Sequence, residues 1–396
     1  MTPRKLDMKV LAVAVVVPAA LLMANMAGAA NLTDETKKAL KKSGIPAQLM
    51  EGLDKELALP KSLLDAARKE GKVRVRMTML NRHFENVRKM FRARYPGIKI
   101  EYFRGVGNER ALVPLLALKR GTYVSDLVSS ISVLLAEYQK IDALADVSDL
   151  PTYHTVPLDL SGKNGKAVAY RIQNYCMTYS TERVKKSELP KTWDEFVSDP
   201  RWANGKVGMA INANTWLAVF AGKFGNDWAF DYMDKVFARL KPQLRKERLN
   251  AISRLAALGE YDIAIPQSES QAKTAVNKGL KVGFHCPDPV AVNGTTMAVL
   301  KGAPNENAAK VYVNWMLSRE GQLAHFTYDN TGPTHKALRT AKQFSHFPEA
   351  VHGTPHAYLN AKALAGMPAV MKRWSKKWTA SGGPTRKRGK KKKKPR

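Results

Sequence analysis

Between residues 72 and 140 the hydrophobic period changes from two to about four and back, again and again. KVRVRMTM (72–79) alternates apolar and polar residues strictly, which places every second side chain on one face of a strand. NRHFENVRKMFRARYPG follows, with Phe84, Val87 and Phe91 on one helical face and Pro96-Gly97 as the stop. The switch then repeats: IKIEYF is a second strand, RGVGN a turn, and ERALVPLLALKRG a helix bent or restarted at Pro114. SDLVSSIS is a third strand and VLLAEYQKIDALA its helix. A β-α-β-α-β-α order leaves few folds open and predicts a doubly wound α/β unit with a largely parallel sheet.

The alternation resumes further along. KAVAYRIQNYCMTYS is a long strand-rich run, and KTWDEFVSDPRW begins a second unit. KVGMAI, EYDIAI and KVGFHC read as its strands; ANTWLAVFAGKFG, WAFDYMDKVFARL, RLNAISRLAALG and SESQAKTAVNKG read as its helices. VAVNGTTMAVL then leads to NENAAKVYVNWMLSREGQ (305–322). Asn305 is the expected N-cap there, with Glu306 in the acid-friendly first turn. Lys310, Asn314 and Ser318, four residues apart, draw a narrow polar stripe on a helix that is otherwise buried, and Ser318 caps a second helix from Arg319. Residues 31–70 are amphipathic helical material.

The N-terminus sets the compartment. Arg4, Lys5 and Lys9 flank an apolar run from Val10 to Met23, and Ala27 and Ala29 form an A-x-A site, so residues 1–30 read as a secretory signal peptide cut after Ala29 or Ala30. The mature protein is expected to be periplasmic. The 396-residue chain carries a formal charge of +31; residues 386–396 hold nine of these charges and residues 1–30 two, which leaves +20 on the body. Such a surplus favours anionic ligands, an anionic membrane surface or nucleic acid, and export argues against the last. The final segment, 381–396, has no apolar anchor and is expected to be a disordered basic tail. Cys176 and Cys286 are the two cysteines. In an exported chain they read as a disulfide, with two buried free thiols as the alternative.

Ligands of parallel α/β sheets sit at the carboxyl ends of strands, where helix N-termini present free N–H groups. Those places hold Asn81 and Arg82, Arg104 to Gly107, and Ser129, Ser130 and Ser132 in the first unit; in the second they hold Asn212, Asn214 and Thr215, and Gln267 to Ser270 with Ser268. They are polar and neutral or basic, so the expected ligand is small, polar and anionic. Each residue taken alone also suits a helix cap or a turn. His346, His352 and His356 lack metal-site spacing, RGVG lacks the phosphate-loop ending, and G-x-S-x-G, H-E-x-x-H and paired CxxC motifs do not occur. No catalytic residue, metal or cofactor is therefore expected. The tryptophans fall within helical patterns, where a core role is the default.

AARKEGKVRV, FRARYPGIKIEYFRG, SDLVSS, YDIAI and above all APNENAAKVYVNWMLSREGQ resemble bacterial extracellular solute-binding proteins that feed ABC importers. The resemblance lies with the branch of ferric-ion, thiamine and phospho-sugar binders. It implies two doubly wound α/β lobes joined by a two-strand hinge, the type II periplasmic-binding-protein fold, with AVAYRIQNYC and CPDPVAVNGT as the crossing segments. It divides the chain into a signal peptide (1–30), a helical extension (31–70), lobe 1 (71–170), lobe 2 (171–289), a return to lobe 1 with C-terminal helices (290–380) and the tail. It further implies a non-enzymatic monomer that captures a small-molecule solute by hinge closure and delivers it to an inner-membrane ABC permease. Arg82, Ser130, Asn212, Asn214 and Thr215 are its candidate contacts. The adjacent tyrosines of ferric-ion binders are missing, though Tyr175 and Tyr179 remain as separated candidates. A ferric-ion or thiamine binder of the same fold, a sensory binding protein, an exported enzyme and a cationic surface or nucleic-acid binder are the other readings.

Overall fold

The computed structural model describes residues 31–105, 109–157, 160, 164–211 and 214–384. The proposed signal peptide, Asn212 and the basic run from 385 onwards lie outside the described residues. Among the described residues, no helix is long and apolar enough to cross a membrane.

Ten strands follow in chain order: β1 (Lys72–Met77), β2 (Lys99–Arg104), β3 (Leu127–Ser129), β4 (Val168–Ser180), β5 (Val207–Ala210), β6 (Gln243–Arg245), β7 (Ile263–Ser268), β8 (Val282–His285), β9 (Val290–Val299) and β10 (His356–Tyr358). The alternation in β1 appears as alternating burial, with Val73, Val75 and Met77 inward. β2, β1 and β3 pair in parallel, as do β6, β5 and β7, which gives one parallel sheet in each half. Each sheet is covered on both faces. Leu127 and Val128, neighbours on β3, enter different core clusters, and so do Met209 and Ala210 on β5. The molecule is thus a pair of doubly wound α/β halves, the type II architecture.

β4 joins the halves. Its first part, Val168 to Tyr175, pairs antiparallel with β9; its last part, Tyr175 to Ser180, pairs with β7 and β8. No residue of β4 is exposed, as a strand covered on both faces requires. β9 runs beside it, so the two implied crossing segments are paired strands. Cys176 and Cys286 are disulfide-bonded at a Cα–Cα separation of 4.8 Å, tying β4 to the residue after β8.

The chain crosses a third time. Ile172 and Gly332 exchange backbone hydrogen bonds, after which β10 pairs with β9 and the helix Ala361–Ala380 packs on the helix Asn214–Phe224. A Cβ at Gly222 would lie 2.5 Å from Ala363 Cβ, so that packing needs glycine. The segment 290–380 therefore packs on both halves: His335 still reaches Glu56, and the last helix lies on the second half. The expected tail boundary also moves. Gly383 N–H donates to Trp378 O, and Trp378 Nε1–H donates to Pro384 O, so residues 381–384 close the last helix.

The helix Glu306–Leu317 is buried as its pattern requires, but its polar residues do not make a solvent stripe. Asn314 and Ser318 are buried. Asn314 Nδ2 donates to Glu56 O, and its Oδ1 accepts from Thr152. Asn305 is the cap residue without a side-chain cap bond, and its amide donates to Asp126 instead. The Glu70 carboxylate accepts the N–H groups of Asn307 and Ala308 in its place. Glu56 likewise accepts the Arg319 N–H at the start of the next helix. The extension 31–70 thus caps the first helix from outside and supplements the cap that Ser318 gives the second through the Gly321 N–H.

Glu320 closes this assembly. Its buried carboxylate accepts from Trp315 Nε1, the Arg94 guanidinium and the Thr36 hydroxyl. Removing a buried, fully partnered carboxylate leaves Arg94 uncompensated and should cost about 3–5 kcal/mol. Glu320→Ala is expected to lose that much in urea unfolding. A second measurement concerns the disulfide: alkylation of the denatured, unreduced protein should label no thiol. Cys176→Ala/Cys286→Ala should destabilise by about 2–5 kcal/mol, since the bridge spans 110 residues.

Candidate ligand cleft

Between the halves lies a cleft of about 600 Å³. Its first wall is the turn after β1, Thr78 to Leu80, with Arg82, His83 and Arg104. The opposite wall is the start of the helix Leu249–Ala257, with Arg248 and Asn250, and the helix Glu269–Val276, with Ser270, Gln271, Thr274 and Lys278. Arg171 and Gln173 of β4 and Asp329 to Thr331 complete the lining.

The electrostatics are one-sided. Arg82, Arg104, Arg171, Arg248 and Lys278 face a single carboxylate, Asp329. Arg171 is the deepest of the five, 6 % exposed. It pairs with Asp329, while its Nε–H finds no acceptor among the described residues. A β-bulge explains its position: Ala169 opposes Thr296 and Arg171 opposes Thr295, so Tyr170 is the extra residue and the pleat shifts after it. Burial raises the Asp329 carboxyl against the opposing pull of Arg171, and burial lowers His83, with Arg82 adding repulsion. Gln173 is held from both sides, accepting from Tyr175 OH at 3.1 Å and donating towards Ser270 Oγ at 3.4 Å. Asn330 reaches Thr274 Oγ1 at 3.3 Å, a direct polar contact between the halves.

The sequence candidates divide. Arg82 lines the cleft, and Asn81 begins the helix that carries it. Ser129 and Ser268 are buried; Ser129 Oγ donates to Arg76 O, and Ser268 caps its helix in a box with Gln271. Ser130 takes a left-handed turn (φ 56°), and its N–H donates to Thr296 O. Asn214 and Thr215 open the helix Asn214–Phe224; Thr215 is not among the residues that line the cleft. Tyr175 and Tyr179 do not line it either, and Tyr179 packs in the core of the second half. Among the described residues, no three His, Cys, Asp or Glu side chains group to hold a metal.

Arg171, Arg248, Lys278 and Asp329 also line the cleft, and the sequence does not single them out. Only Arg171 left a trace, as a charge inside the buried run AVAYRIQNYC. Lys278 and Asp329 look like ordinary helix-end residues in sequence.

A two-walled cleft spanned by a shared strand defines a two-lobed binding protein. The chain belongs to the bacterial extracellular solute-binding protein family, whose profile matches residues 86–351. The family is extracellular, which fits a periplasmic protein. An uncharacterized protein of Haemophilus influenzae is 33% identical over 152 residues, which span 36% of this chain and 42% of that one. Iron-bound HitA of Pseudomonas aeruginosa superposes with a TM-score of 0.61 at 19% identity, over 76% of this chain and 99% of that one. The Trichodesmium protein IdiA (FutA), in complex with iron and citrate, gives 0.65 at 17%, over 79% and 100%. The periplasmic binding protein AfuA of Actinobacillus pleuropneumoniae, with fructose-6-phosphate bound, gives 0.58 at 20%, over 78% and 98%. At such identities the likeness is one of fold. The family and these neighbours are binding proteins rather than enzymes.

Two histidines, the buried His325 and the half-buried His346, are held neutral. His325 has both ring nitrogens unpartnered, and His346 stacks on Phe326 at 4.2 Å. Burial pushes both rings down to about 3. The unfolded chain binds these protons below about pH 6.5 and the folded chain only near 3, so their contribution is full above 6.5 and is lost as pH falls. Asp329, raised by burial, works in the opposite sense at the acid end of this window. Urea unfolding should show lower stability at about pH 5 than at about pH 7, by up to ~2 kcal/mol per histidine. His346→Phe, which keeps the stacking, should reduce that acid sensitivity.

Proposed function

We propose that this protein captures a small anionic solute between its two halves and delivers it to the membrane permease of an ABC importer. The observation that carries this reading is the surplus of cations in the cleft, with the buried Arg171 holding an unfilled Nε–H donor at its base. Cations on both walls repel one another while the cleft is empty of counter-ions. An anion between them turns that repulsion into attraction from both sides, so binding favours the closed arrangement. Arg82 and Arg104 act from the first half, Arg248 and Lys278 from the second. The ligand anion competes with Asp329 for Arg171, and Asp329 accepts a hydrogen bond from any hydroxyl the solute carries. Family membership supports delivery to a permease, and the anionic ligand rests on the cleft alone.

A thermal-shift screen of small solutes tests this. Anions are expected to stabilise, by about 2.7 kcal/mol at one hundred times their Kd, and cations are not. Scattering should show a smaller radius of gyration with the identified ligand bound. Arg171→Met should weaken binding by at least about 2 kcal/mol, the usual cost of truncating one partner of a buried charged contact. A screen in which only cationic solutes stabilise, or a saturating ligand that leaves the radius unchanged, would rule the reading out.

A further inference from the structure

A second cavity lies on the other face of the shared strand. Side chains of β4 alternate: Arg171 and Gln173 line the cleft, whereas Ile172 and Asn174 line a separate cavity of about 490 Å³. The cavity is of small-molecule size and shares no lining residue with the cleft. We propose that it is a second ligand site, for a small hydroxy-dicarboxylate. Its wall holds an unused acceptor. Asn174 is 4 % exposed, and its Nδ2 donates to Glu269 Oε2 at 2.7 Å. A carboxylate only accepts, so the amide cannot be turned round and Oδ1 is left free of Glu269. That oxygen has no donor among the described residues.

Glu269, the one carboxylate in the lining, is already engaged. Besides Asn174 it accepts from Ser345 Oγ at 2.9 Å and from the His346 N–H at 2.7 Å. A buried acceptor without a donor is costly, and a ligand hydroxyl at Asn174 Oδ1 relieves it. The charge that remains is positive. Lys336 and Arg339 line the cavity and are in no ion pair among the described residues; Arg339 donates to Tyr358 OH. Burial, then repulsion from Arg339 and His352, pushes His356 down to about 4, so at neutral pH this ring adds a hydrogen-bonding group rather than a charge. Two cations and one acceptor match two carboxylates and one hydroxyl. A phosphate monoester fits less well, since it seeks the N–H groups of a helix start. At the short helix Lys336–Arg339, the Ala337 N–H already donates to His335 Nδ1.

Malate and succinate test this, because they carry the same two carboxylates and differ by one hydroxyl. Calorimetric titration of the full chain should give a Kd for malate at least about tenfold below that for succinate. Asn174→Leu should remove that preference. Lys336→Gln/Arg339→Gln, which leaves Asn174 and Glu269 in place, should weaken malate about tenfold. Arg248→Gln, on the wall of the cleft, should leave malate binding as it is, which separates this site from anion capture in the cleft. No malate binding, equal Kd values for the two acids, or a preference that survives Asn174→Leu would overturn the proposal. So would an unchanged malate affinity in Lys336→Gln/Arg339→Gln, or a loss of about tenfold with Arg248→Gln.

Discussion

The fold depends on one strand serving two parallel sets. β4 gives its first half to β9, which carries β3, β1 and β2, and its second half to β8 and to β7, which carries β5 and β6, so both parallel sets meet through it in one continuous sheet. Every backbone group of a strand in such a position must be paired, and its side chains must suit a covered face on both sides. That accounts for its apolar composition, and it makes the one charge in its interior conspicuous. Arg171 is desolvated there at a cost that packing alone does not offset. A bulge directs it, Asp329 balances it in part, and its Nε–H has no acceptor among the described residues.

A second dependence runs through the N-terminal extension. The helices Glu306–Leu317 and Arg319–Asp329 carry the chain to the base of the cleft, and both have their starts completed from residues 31–70, by Glu70 and Glu56. Helix N-termini carry partial positive charge and unsatisfied N–H groups, and a carboxylate answers both needs at once. Glu320 adds a buried junction with Arg94 and Thr36. The extension is therefore part of the first half, and through Asp329 it bears indirectly on the cleft.

Much of the fold is legible in the sequence, because period and punctuation are local. KVRVRMTM can bury one face only as a strand, and Pro96-Gly97 can only end the helix before it. Long-range choices were not legible in this way. Asn305 has every mark of an N-cap, yet the cap bonds come from Glu70, more than two hundred positions away. Ser129 and Ser268 sit at strand ends as ligand contacts would, yet their hydroxyls bind backbone, because a short hydroxyl at a strand end satisfies the nearest orphan group first. Arg82 reaches the cleft because a long side chain at the start of an exposed helix projects past such local partners.

The sequence by itself determined the two α/β units, the buried 306–317 helix and the basic character of the body, since each follows from periodicity or composition. The tertiary structure alone decided which cations face one another, how the third crossing carries the C-terminal helix back to the second half, and where the last helix ends. Arg104, Arg248 and Lys278 meet around one cleft only because β4 holds the two parallel sets at a fixed offset. Neither charge nor spacing along a chain encodes that offset.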